Sequence, residues 1–434
     1  MTDVFVHADA SLLPASQPGC VPVHLYGKMP PQIRSASIGS PIIDELSRIR
    51  APMNPVAFDF LSLTLAVTAA DTFVSRKDSA DGWIREINLV VSLSDPSPWQ
   101  PVIGKLEKAL NFLSGDDWRL HFTANGEAPP GYRSRMRRKL LINNCDCACL
   151  YSGGMDSAIG VLDLRAAGLN PILVSHAYPK DGSKQEHILP RLGSNLVRFG
   201  SVANPISNIG PNDVQMRTRS FNFLGMGSVL ASCLAELSSN RTKLYVPENG
   251  FIAINPPLTS RRIGALSTRT THPHYLSIVQ EILDDVGIPV EIDNPFSTRT
   301  KGEMISQCAD QTRLRDVAAG TVSCGKWKRK NQQCGRCVPC LIRRASFHAA
   351  GWTDETDYAQ EATDLAHFLD HGNETDDLLA MLVAARTMQA GDHARWVAQT
   401  GPLPIPPSDK LARIDAVRRG MNEVRSFLIA NGIS

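Results

Sequence analysis

No apolar run in the 434 residues is long enough to cross a membrane. Residues 1–20 lack a basic stretch followed by a continuous apolar block, so no secretory signal is expected and a cytoplasmic location is. Neither sign of charge dominates. Lys and Arg number 45 against 43 Asp and Glu, a net +2 that argues neither for nor against nucleic acid. The basic run Arg133-Ser-Arg-Met-Arg-Arg-Lys139 has no interleaved aromatic residues for base stacking, so it reads as a solvated linker helix. Two common phosphate-binding signatures are also missing. No Lys follows the chain's glycine-rich turn as GxxxxGK[ST] requires, and that turn does not fit GxGxxG. Ten cysteines in so long a chain make no disulfide scaffold, and their clustering points to metal in a reducing compartment.

What the chain does have is Leu150-Tyr-Ser-Gly-Gly-Met-Asp-Ser157. The residues before it, from Cys145, read as a buried parallel strand, and Ala158–Ala167 reads as a helix closed by Gly168. Two glycines and two serines therefore sit at a strand-to-helix turn. Gly153 and Gly154 let the backbone approach a ligand closely. The helix start offers free N–H groups and partial positive charge, and Ser152 and Ser157 add hydroxyls. That combination suits a phosphate or pyrophosphate. The alternative is an ordinary tight turn built of small residues.

The flanks extend the pattern. Short apolar runs in 1–50 read as strands, 57–75 as a helix, 83–93 as a half-buried strand, 105–112 as a helix and 118–122 as a strand. Residues 1–140 thus form an N-terminal α/β domain, closed by Pro129-Pro-Gly131, in which His24, His121 and Asp71 read as structural. A second domain, 141–350, continues with a strand at 171–177, a polar loop, a helix opening at Gln185, a buried helix at 219–235 and a strand at 243–247. Alternation of this kind means a parallel doubly wound sheet. Its ligands sit beyond the carboxyl ends of the strands, so the loops starting at Ser152, His176 and Glu248 should share one crevice. Ser267-Thr-Arg-Thr-Thr-His-Pro-His274 is rich in donors before a helix at 275–286, where capping and ligand binding both remain open. Residues 351–434 read as a helical extension with no visible chemistry.

The second strong signal is Cys324-x9-Cys334-x2-Cys337-x2-Cys340. Four thiolates at short spacing can close a tetrahedron around Zn²⁺, and such a site is structural because no coordination position stays open. A ferredoxin-type cluster is the competitor, but it needs Cys-x3-Cys-Pro next, and position 344 is Arg. Lys326, Lys328, Arg329, Lys330 and Arg336 would offset the thiolate charge. Cys145, Cys147 and Cys149 alternate along a strand and read as small core residues.

The turn Ser-Gly-Gly-x-Asp-Ser resembles the PP-loop of ATP pyrophosphatases. Together with the late cysteines, Gln185-Glu186, Arg219 and Thr300-Lys301, it resembles the 7-cyano-7-deazaguanine synthase (QueC) family over about residues 145–350. The resemblance implies a Rossmann-like PP-loop domain with a zinc-bound C-terminal segment. It also implies ATP cleavage between the α and β phosphates, and ligase chemistry that adenylates a 7-deazaguanine carboxylate for amide formation. Ser152, Gly153, Gly154 and Ser157 would hold the pyrophosphate, Asp156 would position Mg²⁺, and Arg219 and Lys301 would add positive charge. The longer layout, with Ala69-Ala-Asp71 and Ser267–Pro273, is similar to QueC-like proteins of bacterial anti-phage systems, the QatC family especially. That similarity implies a partner protein, whose amine is a possible acceptor. Housekeeping synthesis of 7-cyano-7-deazaguanine (preQ0) for queuosine is the alternative, and a non-catalytic nucleotide-binding scaffold is a third reading.

Overall fold

The computed structural model describes the whole chain except residues 29–33, 134–138, 211, 214–215, 260–268, 328–330, 363, 372–375, 389–390, 404–405 and 434. In chain order the strands are β1 (Thr2–His7), β2 (Cys20–Leu25), β3 (Ala36–Ile38), β4 (Glu86–Ser92), β5 (Asp117–Thr123), β6 (Cys147–Leu150), β7 (Pro171–His176), β8 (Val197–Ser201), β9 (Ile206–Ser207), β10 (Thr242–Tyr245) and β11 (Val290–Asp293). They form two sheets, ordered β5-β4-β1-β2-β3-β9 and β11-β10-β6-β7-β8. Every pairing is parallel except β3 with β9. The second sheet is the doubly wound α/β arrangement of a Rossmann-like PP-loop fold, with the chain order reversing on either side of β6.

Local sequence explains the elements. β5 alternates, with Trp118, Leu120 and Phe122 buried and the residues between them exposed. β7 is buried at all six positions, as a parallel strand covered on both faces must be. The helix Pro55–Phe73 starts where the Asn54 side chain accepts from the N–H groups of Val56 (3.0 Å) and Ala57 (3.1 Å), with Pro at its first position. It has no single apolar stripe because it is enclosed all round, Asp59 and Asp71 included.

Its main neighbour is the helix Arg219–Ser238 of the second sheet. The two approach so closely at Gly225 that a Cβ there would lie 2.3 Å from the Thr64 hydroxyl. Among the described residues, these are the two helices whose length and hydropathy would suit a membrane span, contrary to the sequence expectation of none, and both are mostly buried inside the protein. One apolar core runs through both sheets, from Val4 and Val23 through Phe58 and Phe221 to Leu244 and Val290. Strand β9 ties them further by pairing with β3.

A separate apolar cluster holds the last region. The helices Leu365–His371, Asp376–Thr387, His393–Ala398 and Pro407–Ala430 pack with Phe251, Ile254, Leu341 and Ile342.

Several expectations shift. The helix expected at Gln185 starts at Pro179 and runs to Leu192, since Pro at the first position supplies the start signal that the polar composition hid. β8 and β11 were not anticipated. In the basic run, only Arg133 and Lys139 are described, and neither is helical. Ser267 and Thr268, and Lys328, Arg329 and Lys330, also lie outside the described residues.

Candidate active site

The turn after β6 has the expected form. Leu150 ends the strand, Gly153 takes φ +79°, and the helix Met155–Ala166 begins after Gly154 with no side-chain cap, leaving its first N–H groups available. Only glycine adopts that φ without strain. Ser152 and Ser157 face each other across the turn at 3.3 Å between hydroxyls. The Ser152 hydroxyl accepts from Gly154 N–H at 3.2 Å, and Ser157 donates to the Gly154 carbonyl at 2.9 Å.

Neighbouring segments hold the turn from outside. Gln185 donates to the Ser152 carbonyl at 3.2 Å, and Arg198 on β8 donates to Gln185 at 3.0 Å. Val322 N–H donates to the Gly153 carbonyl at 3.1 Å, which sets the cysteine segment directly against the turn.

A crevice of about 490 Å³ opens here, at the carboxyl ends of β6 and β7. Ser152, Gly153, His176, Lys184, Gln185, Arg219, Cys324 and Trp327 are among the residues that line it. Arg219 is exposed to the crevice, with its guanidinium 5.9 Å from the centre of the Tyr178 ring. It is the first residue of its helix. The residue before it, Thr218, is fixed by Asp71, whose carboxylate accepts from Thr218 N–H at 2.8 Å and from its hydroxyl at 2.9 Å.

Asp156 and Lys301 come together as a buried ion pair, 2.8 Å from Nζ to Oδ1. Neither lines the crevice; they lie at the base of the helix that starts at the turn. The other Asp156 oxygen accepts from the Asn249 backbone (3.1 Å) and side chain (2.7 Å). Burial alone would raise the Asp156 pKa, but Lys301 and the bonds from Glu248 and Asn249 override it and keep the carboxyl ionised. Glu248 goes the other way. Burial and the Asp156 charge push its carboxyl pKa well above the usual range. The loop at Glu248 thus meets the turn from below, through Asp156, and does not join His176 in the crevice wall. Asn249 and Glu248 were not singled out in the sequence as partners of Asp156. The signal that remained was a polar pair at a strand end.

The four late cysteines converge. Their sulfurs all lie within 4.8 Å of one another, and all are buried free thiols. Sulfurs at about 2.3 Å from a tetrahedral zinc would be about 3.8 Å apart, so the donor set fits zinc. Backbone N–H groups of Lys326 and Cys334 donate to Cys324 Sγ at 3.3 Å each, and that of Cys337 donates to Cys334 Sγ at 3.3 Å. The knuckle between Cys334 and Cys337 turns at Gly335, with φ +70° and Ala362 only 2.5 Å from where a Cβ would be. Cys147 and Cys149 are packed in the apolar core beside Tyr151 and Leu173, as expected.

In the 269–274 segment the structure shows capping and packing contacts. His272 caps the helix Pro273–Asp285, accepting from His274 N–H at 3.2 Å, and its other ring nitrogen meets the Thr400 hydroxyl at 3.0 Å. Arg269 lies over the Phe112 ring at 4.4 Å.

Comparison with known proteins adds a family. The profile described as "Queuosine biosynthesis protein QueC" matches residues 271–351. The chain is 38% identical over 232 residues to the 7-cyano-7-deazaguanine synthase of Thiobacillus denitrificans, which covers 49% of this chain and 97% of that protein. It is 26% identical over 242 residues to the synthase of that name from Cupriavidus taiwanensis, covering 49% and 97%. For the one from Ralstonia pickettii the identity is 25% over 233 residues, covering 48% and 96%.

Proposed function

The chain belongs to the QueC family, and from that membership we propose that it is an ATP-dependent enzyme that adenylates a 7-deazaguanine carboxylate. The observation that carries this reading is the open turn at Ser152–Ser157, facing a crevice that also holds the Arg219 cation. A carboxylate is a poor electrophile at neutral pH. In this scheme its oxygen attacks the α-phosphorus of ATP, the α–β bridging bond breaks, and pyrophosphate leaves. An amine then attacks the acyl carbon of the adenylate, expelling AMP and losing a proton, and an amide remains.

Each residue has a part in that scheme. The N–H groups after Gly153 and the hydroxyls of Ser152 and Ser157 bind the leaving pyrophosphate, exchanging their mutual contacts for phosphate oxygens. Arg219 adds charge at the crevice wall. Asp156 offers carboxylate oxygen to a hard cation, and Mg²⁺ would reach it by replacing bonds now made to Lys301 and Asn249 and would neutralise phosphate charge. Zinc on Cys324, Cys334, Cys337 and Cys340 would hold the Val322 segment against the turn.

Within this reading we assign the chain to anti-phage defence, with an amine of a partner protein as acceptor. The support is layout. Half of the chain has no counterpart in the Thiobacillus synthase, and ammonia needs no docking surface, whereas a protein acceptor does. An α-amine is favoured over lysine because its lower pKa leaves more of it unprotonated. The name of the relatives favours the housekeeping reading equally, with free 7-cyano-7-deazaguanine as product.

The test is to supply ATP and 7-carboxy-7-deazaguanine with either ammonia or co-expressed candidate partner proteins. A mass increase on a partner supports the defence reading. Free nitrile from ammonia, with no partner modified, returns the chain to the housekeeping role. No pyrophosphate under either condition leaves a nucleotide-binding scaffold.

A further inference from the structure

The last long helix, Pro407–Ala430, carries a carboxylate that reaches the base of the candidate site. Glu423 accepts hydrogen bonds from the Thr300 hydroxyl and, at 3.2 Å, from Gly302 N–H. Those two residues flank Lys301, the partner of Asp156. The approach is close enough that a Cβ on Gly302 would lie 2.6 Å from Glu423 Oε1. One turn earlier Arg419 bonds Glu303 and, at 2.9 Å, the Thr298 carbonyl. Thr300 is in turn the cap of the helix Lys301–Gln307, with Glu303 closing the reciprocal bond.

We propose that Glu423 is a positioning residue of the active site: it fixes the chain on either side of Lys301 and so aims the ammonium at Asp156 under the phosphate-binding turn. The proposal rests on the adenylation reading above. Its physical basis is that lysine has a long flexible stem, so the direction of its ammonium depends on where its backbone is held. Without Glu423, Gly302 N–H and the Thr300 hydroxyl would lose their partner in a buried place, and the helix start would move to find another. Lys301 would move with it, leaving Asp156 short of its counter-charge. The C-terminal region, which showed no chemistry of its own in the sequence, thereby becomes part of the site.

Two variants separate positioning from bulk packing. Glu423→Gln keeps both contacts, its carbonyl accepting from Gly302 and its amide donating to Thr300. Glu423→Leu keeps most of the volume and loses both. Acid-dependent pyrophosphate release should fall about tenfold in kcat for the Leu variant, with KM for the acid within about twofold, while the Gln variant stays near wild type. Independently of turnover, acetic anhydride labelling read by peptide mass spectrometry should find Lys301 protected in wild type and in Glu423→Gln, and exposed in Glu423→Leu. If the Leu variant does not fold, Gly302→Ala displaces the carboxylate more gently and should give the same labelling. Wild-type kcat with a protected Lys301 in the variants lacking the contact would overturn the proposal. A wild-type protein without acid-dependent pyrophosphate release would sink the adenylation reading instead, and the labelling contrast would still decide whether Glu423 holds Lys301.

Discussion

Among the described residues, a cluster of buried charge lies by each sheet, and the two are built differently. In the first sheet Asp71 and Asp116 meet Arg76 and Arg85, two carboxylates against two guanidiniums. Arg76 grips Asp116 with both nitrogens, at 2.6 and 2.9 Å, and Arg85 spans Asp71 (2.5 Å) and Asp116 (2.6 Å). Arg85 also donates to the backbone carbonyls of Asp71 and Val74, and Arg76 to that of Trp83. The set is balanced in charge, and its bonds outside the quartet include those from Thr218 to Asp71. In the second sheet Asp156, Lys301 and Glu248 form an uneven trio, two carboxyls to one ammonium, with the Glu248 pKa pushed up by burial and the Asp156 charge, and the turn beside it opens on a crevice. Burial and pairing are common to both. What distinguishes a site is charge adjusted to a neighbour and a path for a ligand to reach it.

The comparison is broken most severely at Asp156. Asp156→Asn should lower kcat for pyrophosphate release by at least about 100-fold, and should also lower the melting temperature because Lys301 is left buried without a counter-charge. Adding Lys301→Met should restore much of the melting temperature and none of the turnover. Recovery of both would mean that this pair is merely another structural cluster.

The cysteine cluster comes next. Elemental analysis should find one zinc per chain, and Cys337→Ser should lose it along with several kcal/mol of stability, since metal binding in a closed site is folding energy. Iron with acid-labile sulfide would contradict the zinc reading.

The balanced quartet gives the opposite pattern. Asp116→Asn removes a partner from two buried arginines and should cost about 3–5 kcal/mol in urea unfolding. Turnover per folded molecule should remain within about twofold of wild type. A large loss of kcat there would erase the distinction between the clusters.

The smallest effect is on pH dependence. Burial raises the Glu423 carboxyl to about 7, against partial relief from Thr300, Gly302, Arg419 and Lys301. A carboxyl raised on folding stabilises the protein below its unfolded value of about 4.5, and that contribution is lost as pH rises through 7. The wild-type melting temperature should therefore decline over this window, and Glu423→Gln should flatten the decline. An identical slope in both would remove Glu423 as the titrating group.

Much of the fold was legible because its signals are local. The glycines and serines of the PP-loop turn, the alternation in β5, the apolar run of Pro55–Phe73 and the spacing of the four cysteines each report their own surroundings. The missed parts depend on residues far apart in sequence. Asn249 reaches Asp156 from 93 positions away, and Asp71 holds Thr218 from 147 away. Lys301 was expected at the site only through the resemblance, and its partner Asp156 became visible only in the fold. The shared core of the two sheets was invisible for the same reason, since a helix buried on every side has no periodic stripe to say what covers it.

The central claim is that the Ser152–Ser157 turn serves adenylation of an acid. Exchange of labelled pyrophosphate into ATP tests that step alone, before any amine is needed. The account predicts exchange that requires 7-carboxy-7-deazaguanine and that is lost in Asp156→Asn. Exchange without the acid, or no exchange by a folded, zinc-loaded protein with acid present, would contradict it.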